Sequence, residues 1–413
     1  MHICIFQTGE PLHIDDGNYR PMRAMLLADK LLENGHKVTI ISSSFFHQRK
    51  IFRTKGFKSI FLKNNLTINL IPSCGYRKHI GFKRLLDHII LSINLNKFLK
   101  KNTNFKPDKI FLGYPPIEAS FMILRWAKKN NIPVMLDVKD NWPENFIEPF
   151  PEFLKRFAKI ILLPYFLISK YIFNNVEIIC SITDSFISWI KKYTKKNSEI
   201  EYFVAPLVRK KIILNEEQIK IVSDQWFSKG IDISQGKHLT FVGSFTKSFD
   251  FKFIFEIANL FLAKYPDYKI IICGTGDRYK ELNLLFKKLP NVLLTNEIDK
   301  YQASVLIKNS IATFAPYVSN LNYINSIPNK VIESLENGIP FITNTEGEMK
   351  RLIENYANGI FLDKNMKNFY KIKKLVEDKE YREKLRVNSI NSYRALFDFE
   401  NTYQEIIINL EKI

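Results

Sequence analysis

The sequence predicts an α/β protein built from two Rossmann-like domains. Short apolar runs alternate with stretches whose apolar residues recur at helical spacing. The alternation starts at the N-terminus, lapses through a polar stretch near the middle, and then starts again. The chain of 413 residues is also too long for one ordinary core. Strands that alternate with helices form parallel sheets through right-handed crossovers.

Residues 3–6 are the first strand, followed by a Gly/Asp-rich loop over 8–18. Met22, Met25, Leu26, Ala28, Leu31 and Leu32 mark a helix that Gly35 ends, and 38–41 is the next strand. Further strands are predicted at 67–71, 109–112, 134–137 and 178–181, with a short one at 202–204. The polar segment 208–236 reads as a connection containing a short helix. Beyond it, strands at 239–242, 269–273, 292–294 and 312–315 alternate with helices at 251–265, 279–288 and 366–377. The domains implied are 1–207, completed by a C-terminal helix 393–413, and 208–392.

The segment Asn325 to Thr343 is the densest in signals. Pro328 suits a helix start because its missing N–H has no partner to lose there. Asn337-Gly338 stops the helix, and 340–342 begins a buried strand. A helix N-terminus at the mouth of an α/β sheet is an anion site. This one carries Lys330 in its first turn and Glu333 one turn on, a pairing that suits a phosphate beside a hydroxyl-rich sugar.

The formal charge is +19, which suits an anionic partner: nucleic acid, anionic lipid or a phosphorylated substrate. No helix-turn-helix, RNP-like strand or zinc pattern supports nucleic acid. Arg77, Lys78, Lys83, Arg84, Lys97, Lys100 and Lys101 face a single acid, Asp87, and share 77–101 with Leu85, Ile89, Leu91, Ile93, Leu95 and Phe98. That segment is either a membrane-docking face or a core helix with a basic back. Residues 150–170 mix Lys155, Arg156, Lys159 and Lys170 with a dense apolar set. The apolar stretch 160–169 is too short to span a bilayer. Cys4, Cys74, Cys180 and Cys273 are widely spaced and form no metal or redox pair, as expected of thiols in a reducing compartment. With no charged leader before the first strand, a cytoplasmic protein is expected.

Four segments resemble one family. They are Gly9-Glu-Pro-Leu-His-Ile-Asp-Asp-Gly-Asn-Tyr-Arg20, Asp137-Val-Lys-Asp-Asn-Trp-Pro143, Phe241-Val-Gly-Ser244 with Ile272-Cys-Gly-Thr-Gly276, and Ser326 to Glu333. In order and over nearly the whole chain, they look like family-4 retaining glycosyltransferases of bacterial O-antigen and capsule synthesis. That family has the GT-B fold, two Rossmann-like domains facing a central cleft. The resemblance implies transfer of a sugar from a nucleotide diphosphate donor to a glycan or polyprenyl-diphosphate-linked acceptor, with UDP and an N-acetylated amino sugar as the donor of choice. No Asp-x-Asp metal motif stands at a predicted strand end, so no metal and no cofactor are expected, and the basic segment 77–101 leaves peripheral contact with the inner face of an anionic membrane open.

By the same resemblance Glu333 holds ribose hydroxyls, and Lys330 with the backbone around Ile327 and Pro328 meets the diphosphate. Gly243, Ser244, Lys247, Gly274, Asn325 and Ser326 complete the donor side. Asn325 stands where the family often has a second glutamate, and Ser244 where it has an arginine. Lys139 and Asp140 replace a common histidine, so with Lys330 they are the candidate catalytic groups. Asp16, Gly17, Asn18 and Arg20 form an acceptor or phosphate loop. Glu346 and Glu348 near the donor, and Asp277 near the base, are each matched by a plain surface or helix-capping role. A GT-B-type sugar-nucleotide epimerase, or a non-catalytic nucleotide- or nucleic-acid-binding protein, is the alternative.

Overall fold

The computed structural model describes residues 1–15, 20–62, 65–77, 81–148, 150–196, 199–363 and 365–413. The chain divides into one unit of Met1–Arg209 with Phe399–Ile413, and a second of Lys210–Asp398.

The first unit begins β1 (His2–Phe6), α1 (Arg23–Glu33) and β2 (Lys37–Ser43). A hairpin of β3 (Phe45–Phe46) and β4 (Ile51–Phe52) precedes β5 (Lys58–Leu62) and β6 (Leu66–Ile71). Then come α2 (Phe82–Lys101), β7 (Lys109–Tyr114), α3 (Ile117–Lys129) and β8 (Val134–Val138). Helices α4 (Glu152–Ile161) and α5 (Leu163–Phe173), β9 (Ile178–Ser181), α6 (Asp184–Ile190) and β10 (Glu201–Val204) follow. The sheet runs β10-β9-β8-β7-β1-β2-β6-β5, parallel except for β5. The hairpin and β5 have no counterpart in the sequence reading. The reason is visible in β5, an edge strand with no buried residue and Phe61 80% exposed, so it lacks the alternation that marks a half-buried strand.

The second unit opens with α7 (Glu216–Ser228) and β11 (His238–Val242). It continues through α8 (Phe251–Lys264), β12 (Lys269–Cys273), α9 (Tyr279–Phe286), β13 (Val292–Thr295), α10 (Lys300–Lys308) and β14 (Ala312–Phe314). Then follow α11 (Leu321–Ile324), α12 (Asn329–Glu336), β15 (Phe341–Thr343), α13 (Glu348–Tyr356), β16 (Gly359–Phe361), α14 (Phe369–Glu377) and α15 (Lys379–Leu396). The sheet is parallel throughout, in the order β13-β12-β11-β14-β15-β16. The last helix, α16 (Phe399–Lys412), packs on α1 in the first unit through an apolar face that includes Tyr403, Ile406 and Leu410.

Each sheet reverses its strand order beside its first strand, between β1 and β7 and between β11 and β14. Loops leaving the carboxyl ends on either side of such a point diverge and leave a crevice.

Helix α2 divides the apolar residues of 77–101 between two faces. Leu91, Leu95 and Leu99 are in the core, while Phe82, Leu86, Ile89 and Ile93 are exposed. Lys78 lies outside the described residues. Among the described residues, no helix is long and apolar enough to cross a membrane.

The helix expected within the polar connection is α7, started by a reciprocal capping box of Asn215 and Gln218. It is anchored by Trp226, fully buried, whose Nε1–H donates to Gln302 O at 3.3 Å. Trp226→Ala should therefore cost about 3–5 kcal/mol in urea unfolding. A loss below about 1 kcal/mol would show that α7 is not part of this core.

Candidate functional site

In the second unit, Gly243 follows β11 and Gly274 follows β12. The Gly243 N–H donates to Cys273 O at 2.9 Å, and the Phe245 N–H to Thr275 O at 2.8 Å, so the two loops are stitched together. They are too close for side chains: a Cβ on Gly274 would collide with Gly243 O, and one on Gly276 with the Phe245 backbone. A Cβ on Gly243 would strike Lys330 Nζ. Glycine is required here by close approach.

Lys330 reaches this point from the first turn of α12. Its ammonium donates to Val242 O, at the end of β11, and lies 5.0 Å from the Phe241 ring centre and 5.4 Å from that of Phe249. A carbonyl and two ring faces all favour a cation. The strand end, a lysine and the N-terminal end of α12, whose dipole favours anions, thus meet beside the strand-order reversal. Glu333 is one turn on from Lys330, on the same side of the helix and half-buried.

The loop before α12 is held from below. Ser326 is buried, and the Asn325 N–H donates to Leu321 O at 3.2 Å. Gly347, at φ +87°, lets the backbone after β15 lie against this loop, where a Cβ would collide with Ile324 O. Pro328 is the residue before the helix and not its first member; its carbonyl accepts from Val331 N–H at 2.9 Å. Its extended ψ of 153° sets the chain's turn into α12. The helix stops at Gly338, φ +69°, as Ser334 Oγ donates to Ile339 O at 2.7 Å. Ile327 is half-buried, and Ser244 and Lys247 are exposed on the loop after β11. Glu346 pairs with Lys350 and Glu348 with Arg351, both within α13 or at its start.

In the first unit a recess opens at the other reversal. Its wall includes Gln7, Thr8 and Gly9 after β1, Pro115 and Pro116 after β7, and Lys139 and Asp140 after β8. Lys139 is mostly buried, and its ammonium donates to Glu10 at 2.5 Å and Gln7 at 3.0 Å, with Asp137 at 3.2 Å. Burial opposes its charge, but Glu10 and Asp137 outweigh burial and hold the pKa above the ordinary lysine value. Asp137 has no exposed surface and also meets Arg23 at 3.4 Å; Arg23 in turn donates to Ala205 O at 2.5 Å. The Lys139 side chain is thus fixed in a buried charge cluster. Asp140 is half-buried on the recess wall.

The rest of the recess was not legible in the sequence. His47, Tyr76, Arg84 and His88 line it. His47 Nδ1 and Tyr76 Oη are 2.5 Å apart, and Lys50 Nζ and the Arg84 guanidinium lie 4.6 Å and 5.8 Å from the Tyr76 ring centre. Burial, with Arg84 beside it, lowers the Lys50 pKa to about 8. These residues come from β-hairpin, loop and helix, with no common spacing that a sequence pattern would reveal. Trp142 is a core residue, its ring tilted against that of His88 with the centres 5.5 Å apart. Asp15 is bound by Arg53 through two contacts of 2.8 and 2.6 Å. Arg20 is half-buried; Asp16, Gly17 and Asn18 lie outside the described residues.

Residues 223–392, all in the second unit, match the family model of Glycosyl transferases group 1. No curated protein matches the chain in sequence. Among solved structures, sucrose-phosphate synthase from Thermosynechococcus elongatus superposes with a TM-score of 0.71 at 14% identity, over 100% of this chain and 98% of that one. HepE from Anabaena, in complex with UDP, gives 0.65 at 12% identity over 100% of both chains. WaaG, a glycosyltransferase involved in lipopolysaccharide biosynthesis, gives 0.65 at 13% over 99% of both. The fold is GT-B. Within this GT-B chain the segment that matches the glycosyltransferase group 1 model lies wholly in the second unit, and that match supports a glycosyltransferase.

The recess of the first unit carries a pH signature. His88 is buried, and burial first, then Arg84 and His47, lowers its pKa from 6.5 to about 3. Between these values the unfolded chain takes up a proton that the folded chain refuses, so stability falls as pH drops through the window. Relative to His88→Gln, the wild type should lose up to about 1.4 kcal/mol per pH unit on going down from pH 6.5. Parallel stability curves in urea for the two proteins would contradict this protonation state.

Proposed function

We propose that this protein is a retaining glycosyltransferase that uses a nucleotide diphosphate sugar, UDP-linked by preference, in bacterial surface polysaccharide synthesis. The observation that carries the reading is Lys330, seated against Gly243 at the end of β11 and on the first turn of α12, inside the matched segment 223–392. The complexes of HepE with UDP and of a trehalose-6-phosphate protein from E. coli with UDP-2-fluoro glucose support the choice of donor. WaaG supports the choice of pathway. An N-acetylated amino sugar remains the reading for the transferred group, and a glycan or polyprenyl-diphosphate-linked molecule for the acceptor, in the cytoplasm.

In this reading the diphosphate lies at the N-terminal end of α12, with Ser326, Ile327 and Pro328 bordering it. Gly243 and Gly274 let backbone approach the phosphates, and Asn325, Ser244 and Lys247 face the donor. Charge grows on the leaving diphosphate as the glycosidic bond breaks, and Lys330 and the helix end are fixed where it grows. Glu333 accepts from two ribose hydroxyls, which an ionised carboxylate does well. The acceptor occupies the recess of the first unit. There Lys139 supplies a cation held in place by Glu10 and Asp137, Asp140 stands on the wall as the other candidate catalytic group, and Asp16, Gly17, Asn18 and Arg20 are read as an acceptor or phosphate loop.

Calorimetry with UDP tests the donor side. Glu333→Ala should weaken binding by about 1.5–3 kcal/mol with the melting temperature unchanged. Equal affinity in the variant would take Glu333 out of the ribose site. Lys330→Ala should lower turnover of a labelled UDP-sugar far more than it lowers stability. Lys330→Arg should recover little, because the planar fork does not fit the space against Gly243. Full turnover in Lys330→Ala would place the diphosphate elsewhere.

A further inference from the structure

Helix α4 is set on the protein in an unusual way. Of its ten residues only Ala158 is buried. Phe153 is 74% exposed, Phe157 65%, Ile160 69% and Ile161 76%. At helical pitch these four side chains fall within an arc of ~100°. This is one continuous apolar face turned to solvent, where a soluble helix turns its polar one. Leu163 and Leu167, 52% and 58% exposed, carry the apolar surface on into α5, which packs beside α4. Exposed apolar surface of this extent marks an interaction site.

The charges around the face indicate its partner. Arg156 borders the apolar arc, Lys155 and Lys159 lie across the helix from it, and Lys170 is exposed on α5. Glu152 is the acid of α4, and α5 has none. Lysine is depleted where proteins bind proteins. By contrast, an aromatic and aliphatic face backed by lysine and arginine is what a helix needs to lie in the plane of an anionic bilayer. Its rings enter the acyl boundary, and its long basic stems keep their charges among lipid phosphates. The whole chain, at +19, is drawn to the same surface.

We infer that α4, with the adjoining exposed row of α5, is an interfacial anchor that seats the first unit on an anionic phospholipid surface. This places the principal contact on 152–167 rather than on the basic segment 77–101, whose apolar residues are divided between core and solvent. In that segment Leu91, Leu95 and Leu99 are core, and Arg84 turns inward, 5.0 Å from the Trp142 ring centre. The inference is independent of which sugar is transferred.

Vesicle sedimentation with the full chain tests it. The wild type should pellet with phosphatidylglycerol-containing vesicles and only weakly with pure phosphatidylcholine. Phe153→Glu combined with Phe157→Glu should lower partitioning by at least about tenfold while leaving the melting temperature unchanged, since both side chains are exposed. Arg156→Glu with Lys159→Glu should weaken binding to the anionic vesicles alone and leave the remaining binding less sensitive to salt. Phe82→Glu with Ile89→Glu on α2 should leave partitioning near the wild-type value. The proposal is overturned if the wild type stays in solution with both vesicles, or if the α4 phenylalanine pair leaves pelleting intact. It is also overturned if sedimentation equilibrium without lipid shows a dimer that the same pair dissociates, which would make a second copy the occupant.

Discussion

Each sheet has to reverse direction once, and the position of that reversal governs the rest of the chemistry. A right-handed crossover always returns to the same side of a parallel sheet, so helices can cover both faces only if strand order changes hand. The change falls beside β1 and again beside β11. Loops on the two sides of the change separate, which is why the recess of the first unit lies after β1 and β7. The lysine, the glycines and the helix end of the second unit gather after β11 for the same reason.

The two gatherings are built by different means. In the second unit the device is the absence of side chains. Gly243, Gly274 and Gly276 bring two strand ends within backbone contact, and the space left beside Gly243 takes the Lys330 ammonium. A cation held by a carbonyl and two rings costs little reorganisation when an anion arrives, which is the condition for electrostatic stabilisation of a leaving group. In the first unit the device is a buried set of charges. Asp137 is shared by Arg23 and Lys139, and Glu10 closes the set by accepting from Lys139 and from the Ala24 N–H. Buried pairs gain little net stability, because desolvation offsets their attraction, but losing one partner leaves a bare charge. Their effect here is positional: the loop after β1, the start of α1 and the end of β8 are held in one arrangement at the rim of the recess.

The same logic explains where the chain leaves apolar surface exposed. Helix α2 fills its inner side with Leu91, Leu95 and Leu99 and so closes the core against α3 and β6. Helix α4 contributes almost nothing to that core and is tied to the body through Ala158 and α5. A helix with so little to gain from packing keeps its phenylalanines for another partner.

Much of the fold was legible from short-range pattern. The buried parallel strands announce themselves as runs such as 269–273, and the stop of α12 at Asn337-Gly338 is written in two residues. The edge strand β5 was not, because an exposed strand carries no burial signal, nor was the hairpin before it, whose two-residue strands are too short to show a period. In the candidate site, the place of Lys330 and Glu333 on one side of α12 follows from helix spacing, and their roles are what the family resemblance implies. The contact of Lys330 with the end of β11, 88 residues earlier, follows only from the sheet order that sets α12 beside that strand. Likewise the sequence shows lysine at 139, but only the packing of β1 and α1 against β8 decides that its ammonium is held by Glu10 and Asp137. Local sequence determined periodicity, caps and the positions where glycine is tolerated, since these depend on neighbours along the chain. Tertiary structure decided which apolar faces are covered and which distant charges meet, since both depend on the order in which strands are laid into a sheet.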